Sequence, residues 1–172
     1  VSNVYIRGGM DPLFAHDDLR SIVEELRRHG VRKIVGDVVL DATMKDTATL
    51  GRGWCWDDKA RPLTPLLYRR GNKLSDNLLR ALSQAGITVG GFVRTGVAPT
   101  AAPVWLARTH TIDQVLRPMM KESDNLCAES MFFQMAALSR RPYANYRDAV
   151  AQMSKLIARW NVSPDEYQIV DG

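Results

Sequence analysis

Residues 126–138 read L-C-A-E-S-M-F-F-Q-M-A-A-L, a run that is apolar nearly all round. A helix of that composition is buried on most sides, so it lies centrally in whatever the chain folds into. Its Met and Phe content is core packing first. Just before it, Ser123-Asp124-Asn125 stands between two helical patterns. A Ser and an Asn two apart cannot share a helix face, where neighbours are three and four apart. In an extended turn they point the same way. The triplet is therefore expected in a helix-to-helix turn, with the Ser and Asn tips aimed at one spot and the rest of the chain as the wall behind it.

The remaining elements follow in order. Residues 4–7 read as a strand ending at Gly8-Gly9. Asp17 is a candidate N-cap for a helix with Leu19, Ile22, Val23 and Leu26 on one face and Gly30 as its stop. Residues 33–40 are β-branched and apolar, a strand in which Gly36-Asp37 suggests a bulge or a close backbone approach. Residues 41–53 read as a polar loop, and Trp54 and Trp56 alternate as in a half-buried extended segment. Ser75 is expected to cap a helix through Gln84 that carries Leu78, Leu79 and Leu82. That accounts structurally for the second triplet, Ser75-Asp76-Asn77. Residues 87–95 and 104–107 read as strands. Thr111 and Asn145 cap two further helices, the first holding Pro118 inside its pattern. Residues 167–170 close as a strand.

With 172 residues the chain can bury a core, and 45% hydrophobic with 24% charged residues is ordinary for a globular protein. No apolar run approaches the ~18–20 residues of a membrane-spanning helix. The net charge of +4 comes from scattered basic residues, which argues against a nucleic-acid stripe. Cys55 and Cys127 lack metal-ligand spacing, as do His16, His29 and His110. Gly8-Gly9 and Gly90-Gly91 lack the pattern of a phosphate loop. These readings call for no cofactor and no metal.

Ser-Asp-Asn is one of three motifs that serine penicillin-recognising enzymes combine with Ser-x-x-Lys and Lys-Thr-Gly. Residues 121–129, K-E-S-D-N-L-C-A-E, resemble the K-x-S-D-N-x-x-A-E/D segment of the D-alanyl-D-alanine carboxypeptidase/endopeptidase family, the penicillin-binding protein 4 type. Other stretches agree in order: G-G-M-D-P-L at 8–13, G-V-R-K-I-V-G-D-V-V-L-D at 30–41, G-W-C-W-D-D at 53–58, A-G-I at 85–87 and Asp171-Gly172. The resemblance implies an α/β penicillin-recognising fold, an antiparallel sheet flanked by helices with a helical lobe bearing Ser123. It implies one incomplete domain over 1–172, with sequence excised near 59–65. It also implies a periplasmic serine carboxypeptidase that acts on peptidoglycan stem peptides and binds β-lactams. Its catalytic residues here would be Ser123 as proton relay and Asn125 as substrate ligand, with Lys121 and Glu129 at the surface or behind them.

Two departures limit this. None of the nine serines is followed three residues later by Lys, so the nucleophile motif is missing. Lys-Thr-Gly is missing too; Arg94-Thr95-Gly96 imitates it but precedes Ser-Asp-Asn, the wrong order. The chain alone is therefore expected to be inactive. The alternative is a non-catalytic peptide or cell-wall interaction module on the same scaffold. A sheet lacking its outer strands would leave an edge for a partner chain or a second copy to cover.

Overall fold

Val4–Arg7 (β1), His16–Arg28 (α1), Lys33–Ile34 (β2) and Val38–Asp41 (β3) open the chain. Leu74–Gln84 (α2), Thr88–Val89 (β4) and Val93–Thr95 (β5) repeat the helix-to-strand pattern. Three helices follow: Ile112–Glu122 (α3), Asn125–Ala137 (α4) and Tyr146–Ala158 (α5). The structure is a computed structural model describing residues 1–55 and 62–172. Trp56, the pair Asp57-Asp58 and the first part of the 59–65 junction lie outside the described residues.

The strands run parallel, not antiparallel as the resemblance implied. β3 lies between β1 and β5, in register Val4↔Val38 and Val38↔Val93, and β2 pairs with β4 as Lys33↔Thr88. The cause is the connectivity. α1 carries the chain back before β3, and α2 does so before β5, so each strand enters from the same end.

The expected single strands over 33–40 and 87–95 are each broken in two. Gly36 and Gly91 sit at the breaks, where Gly91 N donates to Gly36 O at 2.9 Å. A Cβ on Gly36 would stand 2.6 Å from Ser2 O, and one on Gly91 2.6 Å from Gly36 O. The close backbone approach read from the sequence is real, and it separates the strands into two small sheets. Residues 104–107 and 167–170 form no strand; the latter follow a short 3-10 turn, Pro164–Glu166.

α1 is capped by Ala15 rather than Asp17. Asp18 Oδ2 accepts from Ala15 N at 2.9 Å, and its Oδ1 takes Arg108 at 2.8 and 3.1 Å. α2 begins one residue before Ser75, at a Lys73 cap without a side-chain bond. Thr111 and Asn145 cap α3 and α5 as expected, Asn145 accepting from Arg147 N at 2.9 Å.

Among the described residues two apolar cores result. Leu19, Val23 and Leu26 of α1, Leu74, Leu78 and Leu82 of α2, and Ile34, Val38 and Leu40 fill the first. Leu126, Phe132, Phe133 and Ala136 of α4, with Met10, Leu63, Leu67 and Ala149, fill the second. Residues 63–68 serve both, because Leu63 and Leu67 enter the helical core while Tyr68 enters the sheet core.

Candidate active site

The Ser123-Asp124-Asn125 triplet lies in the corner between α3 and α4. Ser123 ends α3 in the left-handed region (φ 52°, ψ 54°), and its backbone N–H returns to Met119 O. Asp124 is extended (φ −87°, ψ 98°) and caps α4 by accepting from Cys127 N at 3.1 Å. Asn125 is the first residue of α4. The helix-to-helix turn read from the sequence is therefore present, and Asp124 braces it by capping the helix that follows.

Ser123 and Asn125 are exposed, and neither side chain hydrogen-bonds another described residue. Asp124 between them is held. Its Oδ2 accepts from Arg70 Nη2, and Arg70 Nη1 lies 4.0 Å from Cys127 Sγ. Burial works against an ionised Asp124. The hydrogen bond and charge of Arg70 and the Cys127 N–H outweigh it and hold the carboxyl below its usual range. Burial, with the charge of Asp124, pushes the Cys127 thiol up.

Lys121 is exposed and Glu129 is buried, so of the two places left open for them, at the surface or behind the site residues, each takes a different one. Glu129 is 2% exposed, one helical turn beyond Asn125 on the same face. Its Oε1 is buried, with no hydrogen-bond partner among the described residues. Burial first, and the Asp171 carboxylate second, push its pKa up to about 7 against opposing pulls from the Gly172 backbone and Lys45. Lys45 is itself buried. Its Nζ donates to Asp46 Oδ1 at 2.7 Å and to Ala48 O, and lies 4.5 Å from the Phe133 ring centre. A cavity of about 350 Å³ lies beside Glu129, lined also by Asp46, Arg52, Phe133, Tyr146 and Arg147. Ser123 and Asn125 are not in its wall.

Other sequence candidates resolve as structure. Arg94 pairs with Asp37 at 2.6 Å and Thr95 sits in β5, so Arg94-Thr95-Gly96 belongs to the sheet. His29 stacks on Trp105 at 4.2 Å and His110 Nδ1 meets Asp11 at 2.7 Å. Among the described residues no group of three or more His, Cys, Asp or Glu is arranged to hold a metal. No described helix is long and apolar enough to cross a membrane. Sequence reasoning missed Arg70 and Lys45 and did not settle the burial of Glu129. Only the last left a signal, a lone acid inside the apolar run.

The sequence matches the D-Ala-D-Ala carboxypeptidase 3 (S13) family over residues 1–66 and 70–172. It is 38% identical over 56 residues to the D-alanyl-D-alanine carboxypeptidase DacB of Haemophilus influenzae, covering 33% of this chain and 12% of that protein. The fold is similar to the crystal structure of penicillin binding protein 4 (dacB) from Haemophilus influenzae, with a TM-score of 0.87 at 17% identity over 98% of this chain and 56% of that one. The same relative complexed with a β-lactam gives 0.74 at 19% identity, over 99% and 54%. The chain thus spans about half the length of these solved relatives. Matched over nearly all of its residues, the chain belongs to the D-Ala-D-Ala carboxypeptidase 3 (S13) family.

Proposed function

We propose that this chain is part of a periplasmic serine D-Ala-D-Ala carboxypeptidase/endopeptidase that acts on peptidoglycan stem peptides through an acyl-enzyme. In such a reaction a serine oxygen bonds to the carbonyl carbon between the two D-alanines. The carbon–nitrogen bond breaks, and the leaving amine takes up a proton. Water then hydrolyses the ester. Ser123 is the group that relays the proton to the amine, and Asn125 hydrogen-bonds the acyl-side amide of the substrate.

One observation supports this most: two exposed polar side chains, hydrogen-bonded to no other described residue, flank an Asp124 that is fixed from both sides. A site that binds a peptide amide needs this pairing of free tips and a rigid base. The attacking serine with its Lys three residues on is not among these 172 residues, so the chain alone forms no acyl-enzyme. We read the 172 residues as one incomplete penicillin-recognising domain, lacking sequence near 59–65. β1 and β5 are edges that the remaining chain or a second copy would cover.

Incubation with a fluorescent penicillin tests the reading. No covalent label is expected on the 172-residue chain, and stoichiometric labelling that survives denaturation overturns it. The missing nucleophile equally suits a non-catalytic peptide-binding module. The flanking gene sequence separates the two, since an upstream Ser-x-x-Lys supports the enzyme.

A further inference from the structure

Two left-handed, non-glycine turns meet at the Ser123 corner. One is Ser123 itself. The other is Arg69-Arg70, with φ 48° and 64°. Tyr68 and Gly71 close it with paired backbone bonds, Tyr68 N to Gly71 O at 2.9 Å and Gly71 N to Tyr68 O at 3.0 Å. Two successive positive φ values make the tight turn that Asn and Gly ordinarily occupy. Here two arginines occupy it at a conformational cost. Backbone held in a sparsely populated region points to a role elsewhere when its surroundings over-determine it.

The surroundings do so. Tyr68 is 6% exposed in the sheet core, with the Phe14 ring edge-on at 6.5 Å, and Arg69 N donates to Phe14 O at 2.9 Å. Leu67 is buried in the helical core. From this anchored turn the Arg70 guanidinium reaches Asp124, the residue between Ser123 and Asn125, and Asp124 in turn caps α4. The Arg69 side chain is exposed and engages no other described side chain.

We propose that Arg70 is a positioning residue. By gripping Asp124 it fixes Ser123 and Asn125 in the arrangement that engages an N-acyl-D-alanyl-D-alanine group. This rests on the role given to Ser123 and Asn125 above, and the test keeps the two apart.

Asn tolerates the left-handed conformation, so Arg70→Asn keeps the turn and removes the grip. Arg69→Asn relieves the neighbouring position without touching Asp124, and Arg70→Lys keeps a cation. All are compared by amide NMR, alone and titrated with N-acetyl-D-alanyl-D-alanine, with circular dichroism confirming the fold. In Arg70→Asn the Ser123 and Asn125 resonances are expected to move. Dipeptide affinity is expected to fall about tenfold, the scale of one charge-assisted hydrogen bond. Arg70→Lys should recover part of both effects, and Arg69→Asn should match the parent.

Unchanged Ser123 and Asn125 resonances in Arg70→Asn, or equal changes in Arg69→Asn, overturn the proposal. A parent chain that does not bind the dipeptide counts against the functional reading, while the resonance comparison still decides Arg70.

Discussion

Glu129→Gln separates a buried proton from a buried charge. The carboxyl has a pKa of about 7 in the fold against 4.5 for the free side chain. The folded protein therefore holds one proton more than the unfolded chain between those values. Stability from this group is full below pH 4.5, falls as pH rises towards 7, and is level above it. The difference of about 2.5 pH units corresponds to about 3 kcal/mol lost between pH 4.5 and 8. Gln cannot ionise, so the variant lacks this fall. Its stability relative to the parent should rise by about 3 kcal/mol over that range, or roughly 6–12 °C in Tm for a domain of this size. Urea titrations of both proteins in half-unit pH steps measure the difference directly. Any constant cost of the amide cancels, because only the change with pH is read. A difference that stays flat from pH 4.5 to 8 refutes the reasoning and means that Glu129 is ionised throughout.

Substitutions at two further positions probe the frame that holds the site. Asp41 is fully buried and accepts from Thr43 N and Ala98 N at 2.9 and 2.8 Å. Removing it in Asp41→Ala strands both donors, with an expected loss of about 2–5 kcal/mol in urea unfolding. Burial opposes its charge, yet the bonds from Thr43 and Ala98 and the nearby Arg7 hold its pKa below 3.8. Its stabilisation is thus present above pH 3.8 and lost as pH falls through the depressed value, an acid limb that Asp41→Asn should flatten. Asn145→Ala removes the α5 cap and should cost about 1 kcal/mol, with faster amide exchange confined to the first turn of α5.

The helical half of the fold was legible because its signals are local. Thr111 and Asn145 announce their helices within four residues, and the apolar run at 126–138 fixes α4 as central. The sheet half was less so. Apolar β-branched residues at 33–40 show strand character, but which strand they join, and in which direction, depends on partners such as Val4 and Val93 far along the chain. The site divides the same way. The Ser123 turn and the bracing role of Asp124 follow from neighbouring residues. Arg70 lies 54 positions from Asp124 and in a turn whose chemistry favours other residues, so nothing local marks it. Lys45 sits in a polar stretch that reads as a loop, and its burial depends on a Phe133 face supplied by a distant helix.

Residues 63–68 send alternate side chains into two separate apolar interiors. A stretch shared in this way cannot leave one interior without being dragged from the other. The stretch therefore ties the parallel strands to the helix bearing Asn125. Through Arg70, two residues past that stretch's end in the sheet core, the serine corner is moored to a sheet to which it does not belong.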